Sequence, residues 1–126
     1  MNAVNAEAAE LTIAVDASRR VSALLCAPLD ARACYVLAHG AGAGMRHPFL
    51  AAIADALAAR GIATLRYQFP YMEQGSKRPD VPAVAHATVR AAVDEAARAA
   101  PGVALIAGGK SFGGRMMSQA QAATPL

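Results

Sequence analysis

Two short apolar runs, Cys34–Ala38 and Val103–Ala107, constrain this chain most, because neither carries a charge and each stops at a glycine-containing turn. Runs of that kind suit parallel strands covered on both faces. The segments around them alternate in character. Leu11–Val15 and Val21–Cys26 flank the polar turn Asp16–Arg20 and read as a β-hairpin, and Pro28 to Arg32 is a loop. After Cys34–Ala38, Pro48 opens a helix at a position where a missing N–H costs nothing. Phe49, Ile53 and Leu57 recur at helical spacing as its apolar face, and Gly61 stops it. Ile62–Phe69 is the next strand, and Pro70–Asp80 is a polar loop. Asp80 is placed to cap the following helix, with Pro82 in its first turn. That helix extends to about Ala99, with Val89, Val93 and Ala96 inward and Arg90, Asp94 and Arg98 outward as solvent-side ion pairs. Pro101-Gly102 then breaks the chain, Val103–Ala107 forms a buried strand, and a last helix covers about Phe112 to Gln121. A hairpin followed by strand–helix–strand–helix–strand–helix predicts an α/β class, with a mostly parallel sheet between two helical layers.

The chemistry concentrates at two turns. Gly109-Lys110-Ser111-Phe112-Gly113 fits G-x-S-x-G, follows an apolar strand and opens a helix. Small residues at 109 and 113 let the backbone turn sharply, which lifts the Ser111 hydroxyl above the sheet edge as a nucleophile. The N–H of Phe112, at a helix N-terminus, is then placed to stabilise a developing oxyanion. His39-Gly40-Ala41-Gly42-Ala43-Gly44 is the second turn. Its glycines allow close backbone approach to a ligand, with the N–H of Ala41, or that of Gly42, as a second oxyanion donor and His39 orienting the loop. Two nucleotide motifs fail at the same places. A Walker loop ending in Gly109-Lys110-Ser111 needs a glycine at Ala104, inside the strand, and a dinucleotide fingerprint starting at Gly40 needs a glycine at Met45.

Composition excludes other classes. The 126 residues suffice for one domain spanning 1–126, with 56% hydrophobic and 17% charged residues. A net charge of +3 is mild and its Arg and Lys residues are scattered, so no nucleic-acid partner is expected. Two cysteines, Cys26 and Cys34, are too few for a secreted disulfide framework and read as small buried residues. The N-terminus is not patterned as a secretory signal, and nothing approaches the ~18 consecutive apolar residues of a membrane span. A cytoplasmic location, no metal and no cofactor are the expectations.

LAHGAGAGMRHPF, TLRYQFPYMEQGSKRPD and GGKSFGGRM together resemble the α/β-hydrolase-like domain of the KANL3/Tex30 group, whose bacterial members are similar to dienelactone hydrolases. The resemblance covers about residues 20–118. It implies an α/β-hydrolase fold, a nucleophile at Ser111 and an oxyanion loop at Gly40–Gly44, but no defined substrate. Dienelactone hydrolases proper carry Cys at the elbow, where this chain has Ser111.

In that fold the triad acid and base follow the nucleophile along the chain. After Ser111, the residues FGGRMMSQAQAATPL include no Asp, Glu or His. The expectation is therefore a truncated α/β-hydrolase fold without its C-terminal strands and helices: a serine hydrolase module of esterase type, inactive by itself, for a small ester-like substrate. A non-catalytic interaction module on the same fold is the alternative, and a nucleotide-binding α/β protein is the third reading. His39 or His47 can come near Ser111 as a substitute base, His86 lies in a helix, and His39, together with Arg66 and Glu73 at or after a strand end, is a candidate to face the pocket. Strand 103–107 becomes a sheet edge, from which strand-mediated self-association is expected.

Overall fold

The computed structural model describes residues 8–126. Its elements in chain order are β1 (Ala9–Ala14), β2 (Arg20–Cys26), β3 (Ala33–Ala38), α1 (Pro48–Ala58), β4 (Ile62–Tyr67), α2 (Pro70–Glu73), α3 (Pro82–Ala99), β5 (Ala104–Gly109) and α4 (Phe112–Ala123). The strands form one sheet in the order β1-β2-β4-β3-β5. β3, β4 and β5 run parallel to one another, while β1 and β2 pair antiparallel, as do β2 and β4. The sheet is therefore mixed, a parallel half joined to the N-terminal hairpin.

Period-two alternation assigns each strand residue to a face. Val21, Ala23, Cys34, Val36, Ala38, Ala63, Leu65 and Tyr67 join Val89, Ala92, Ala96, Met116 and Met117 of α3 and α4 in the main core. α1 packs against β4 and buries Leu50, Ala54 and Ala58. Helices thus lie on both faces, giving three layers. Cys26 and Cys34 are both buried, and burial raises the pKa of each thiol.

Several local expectations change once the elements pack. The buried stripe of α1 is Leu50, Ala54 and Ala58, one position on from Phe49, Ile53 and Leu57. Those three instead line an open groove beside β5, where no further strand lies among the described residues. β5 lies at the sheet edge, as expected of strand 103–107, so its apolar run is not covered on both sides: Leu105 is 36% and Ile106 45% accessible. The segment after β4 is not all loop, because Pro70 starts the short helix α2. Asp80 does not cap α3, whose N-cap is Val81; its carboxylate accepts the Tyr71 N–H at 3.0 Å. Val93 is only half-buried, and the inner stripe of α3 is Ala85, Thr88, Val89, Ala92 and Ala96. Arg90 makes no ion pair with Asp94 among the described residues; its guanidinium donates to the Ala120 and Thr124 carbonyls at the end of α4, at 2.5 and 2.8 Å. Arg98 pairs with Glu95 at 2.7 Å.

Candidate active site

The turn from β5 into α4 is set by backbone contact. Lys110 N–H donates to the Ala38 carbonyl at 3.1 Å, so the strand end stays pinned to β3. A Cβ at Gly109 would lie 2.8 Å from Ala38 Cβ, and one at Gly113 would lie 2.7 Å from the same atom and inside the His39 carbonyl oxygen. Only glycine fits either place. Between them Ser111 takes φ 53°, ψ −114°, a positive φ that a non-glycine residue adopts only where its surroundings impose it. Ser111 is exposed at the N-cap of α4, and its side chain makes no capping hydrogen bond.

Opposite lies the Gly40–Gly44 loop. Ala43 N–H donates to Gly40 O at 3.1 Å, and Gly42 at φ 78° completes a turn that requires a positive φ at its third residue. Gly40 abuts the elbow: a Cβ there would lie 3.3 Å from Lys110 O and 3.7 Å from Ser111 Cβ. Two ties hold residues 39–42 from the β4–α2 side, besides the Met45 N–H that donates to Gln68 Oε1 at 2.7 Å just past the loop. The first is His39, fully buried, whose Nε2 accepts the Phe69 N–H at 3.1 Å while Nδ1 lies 2.8 Å from Gly40 O. A carbonyl only accepts, so Nδ1 carries the proton and the ring is the neutral Nδ1–H tautomer. Burial holds its pKa below the ordinary 6.5, against smaller opposing effects of Gly40 O and Asp80. The second tie is Tyr71, whose hydroxyl accepts the Gly42 N–H at 3.3 Å. The Gly42 N–H is thereby taken. The N–H groups of Ala41 and Phe112 take part in no hydrogen bond among the described residues. The Phe112 ring stacks edge-on against Phe69 at 5.1 Å and Tyr71 at 6.0 Å, locking the start of α4 against the same turn.

An open cleft of about 240 Å³ lies between the two turns, lined by Gly40, Ala41, Ala43, His47, Phe49, Leu50, Lys110 and Ser111. The sequence-selected residues divide around it. Ser111, Gly40 and Ala41 line it; Phe112 follows Ser111 at the elbow. Three residues expected to face it do not line it. His39 lies behind the loop with both nitrogens engaged. Arg66 is buried on the α1 face of the sheet, where it donates to Met45 O at 3.3 Å and its Nε has no partner among the described residues. Burial depresses its pKa. Glu73 accepts both the N–H and the hydroxyl of Ser22, at 2.9 and 2.8 Å, and so ties α2 to β2. His86 lies within 2.9 Å of Gln119 between α3 and α4, away from Ser111. His47 is the histidine in the cleft. It caps α1, with Nδ1 accepting the Phe49 N–H at 3.1 Å. Its place three residues past Gly44 and just before Pro48 was the readable signal: an N-cap at the mouth of the loop faces what the loop faces.

A family model described as an alpha/beta hydrolase domain matches residues 31–125. No curated protein matches the sequence. Solved structures are similar in fold. A dienelactone hydrolase from Anabaena variabilis superposes with a TM-score of 0.79 at 22% identity, over 95% of this chain and 59% of its own. A lidless serine hydrolase from Xanthomonas campestris gives 0.76 at 22% identity, over 93% and 56%. An esterase from Pyrococcus furiosus gives 0.77 at 15% identity, over 96% and 46%. The chain thus spans about half the length of these structures.

Proposed function

The chain belongs to the alpha/beta hydrolase domain family, and from that premise we propose that it is a serine hydrolase module of the esterase type, acting on a small ester-like substrate. The observation that carries this reading is Ser111, held at positive φ on the strand-to-helix turn and opening onto the cleft beneath Ala41. Ser111 Oγ attacks the acyl carbon, the alcohol leaves, and water then releases the acid from the acyl-enzyme. The N–H groups of Ala41 and Phe112 receive the oxyanion. We assign it to the KANL3/Tex30 type on the motifs flanking the two turns.

A serine hydroxyl needs a base to take its proton. His47 shares the cleft, but its Nδ1 is committed to the Phe49 N–H, so the neutral ring carries its proton on Nε2 and has no lone pair to offer. Among the described residues no imidazole is therefore placed to take the Ser111 proton. Labelling with a fluorophosphonate tests this. Labelling is expected to be slow, accelerated by added imidazole acting as an external base, and absent in Ser111→Ala. Labelling that persists in Ser111→Ala, or none even with imidazole in a folded sample, overturns the reading.

The open edge of β5 favours a second reading, a non-catalytic interaction module. Apolar grooves flank the strand on both faces, one lined in part by Leu105, Ala107 and Met117, the other by Tyr35, Ile53 and Leu57. An unpaired apolar edge is a template for another strand, and a second copy of the chain is the partner at hand.

A further inference from the structure

Among the described residues, the polar side chains lining the Ser111 cleft are those of Ser111, His47 and Lys110, and no carboxylate lines it. The Phe49 N–H fixes His47 Nδ1 as an acceptor, which leaves Nε2–H as the one polar group this ring has left to offer. Lys110 forms no ion pair among the described residues; its Nζ rests 5.8 Å from the centroid of the Phe49 ring. A lone cation over an exposed aromatic face is weakly held and can turn toward a ligand at little cost. Phe49 is 49% exposed and lines the same cleft.

From this arrangement we propose that His47 and Lys110 form a subsite for an anionic oxygen group on the substrate, so that the ester cleaved at Ser111 carries a carboxylate or a phosphate near the scissile carbonyl. This rests on the reading of the cleft as an acyl-transfer site and names its substrate class. The Nε2–H of His47 donates to one anionic oxygen and the ammonium of Lys110 supplies the counter-charge, a charge-assisted pair that a neutral ester forgoes. The Phe49 N–H bond holds the imidazole in one orientation, so the donor is fixed before the substrate arrives.

Binding can be read without turnover. Monomethyl succinate, methyl phosphate and neutral methyl butyrate are titrated into the full chain while the His47 imidazole resonances are followed by NMR. At least one anion is expected to shift them saturably and to bind about tenfold tighter than methyl butyrate; the tighter of the two anions names the group. His47→Ser keeps a side-chain cap on α1 but removes the donor, and His47→Asn keeps the cap and restores an N–H. Binding, read from ligand signals for these variants, should weaken in His47→Ser and in Lys110→Met and recover in part in His47→Asn. It should survive in Ser111→Ala. Equal affinity for the neutral ester, no saturable binding of either anion, or binding unchanged in both His47→Ser and Lys110→Met overturns the proposal. Imidazole-dependent labelling of Ser111 is measured separately, so the subsite and the acyl-transfer reading can fail independently.

Discussion

The imidazole of His39, just past the end of β3, accepts the main-chain N–H of Phe69, thirty residues on and just past the end of β4, at 3.1 Å. One side chain thus joins the two strand ends on either side of the loop that faces Ser111, and it does so only as a neutral ring.

That neutrality makes stability depend on pH. Burial holds the His39 pKa below 6.5 in the folded chain, while in the unfolded chain the ring titrates near that value. Between the two pKa values the unfolded state binds more protons, so stability falls as pH drops below about 6.5 and is regained as pH rises. Asp16, held at about 2 chiefly by the Ser18 N–H and the Arg19 side chain, is lost only at far lower pH. Urea midpoints at pH 7 and pH 5 should differ for the parent chain. In a folded His39→Gln variant the difference should shrink.

The elbow leaves no room for a methyl group. Gly113→Ala drives a Cβ against Ala38 and the His39 carbonyl, backbone and core that cannot swing away. A loss of about 1–3 kcal/mol is expected from this overpacking. Denaturant unfolding followed by circular dichroism measures it, and a neutral result would mean that the turn is looser than its contacts indicate.

Tyr71→Phe removes the acceptor of the Gly42 N–H without changing the ring contact with Phe112. The expected loss is about 1 kcal/mol. Imidazole-assisted labelling of Ser111 should slow as well, because the loop carrying Ala41 loses its tie at Gly42. Unchanged labelling would show that the loop keeps its position without the Tyr71 bond.

Arg90→Ala should cost about 1.5–3 kcal/mol, since a charged donor to two terminal carbonyls of α4 is removed. Hydrogen exchange localised to the last turn of α4 should rise. Exchange spread evenly over the chain would place the effect elsewhere.

The β5 edge is expected to drive association. Sedimentation velocity on the parent chain should show concentration-dependent species that Ile106→Lys suppresses, since a charge on an edge strand opposes pairing. A parent chain that stays monomeric across the concentration range counts against this.

Much of the fold could be read from residue order. The hairpin, the uncharged runs of β3 and β5, Pro48 and Pro82 at helix starts and Gly61 after α1 are local signals, and the structure places elements there to within a few residues. The family model and the similar folds agree with the α/β-hydrolase resemblance at the level of the domain. Several of the failures were a matter of partners. Arg90 and Asp94 have the spacing of an ion pair, yet α4 lies close enough for its carbonyls to take the guanidinium. Asp80 has the chemistry of a cap, yet Tyr71 N–H lies within its reach.

By itself the sequence determined the strand and helix periods, the turns that need glycine and the position of Ser111 in its motif, because each depends on neighbours a few residues away. Which N–H groups of the loop stay available and which histidine enters the cleft were decided only by tertiary packing. Those outcomes turn on which distant backbone groups compete for the same donor or acceptor: Tyr71 for Gly42, Phe69 for His39, Ser22 for Glu73. Such competition is settled by distance in three dimensions, and residue spacing along the chain carries no record of it.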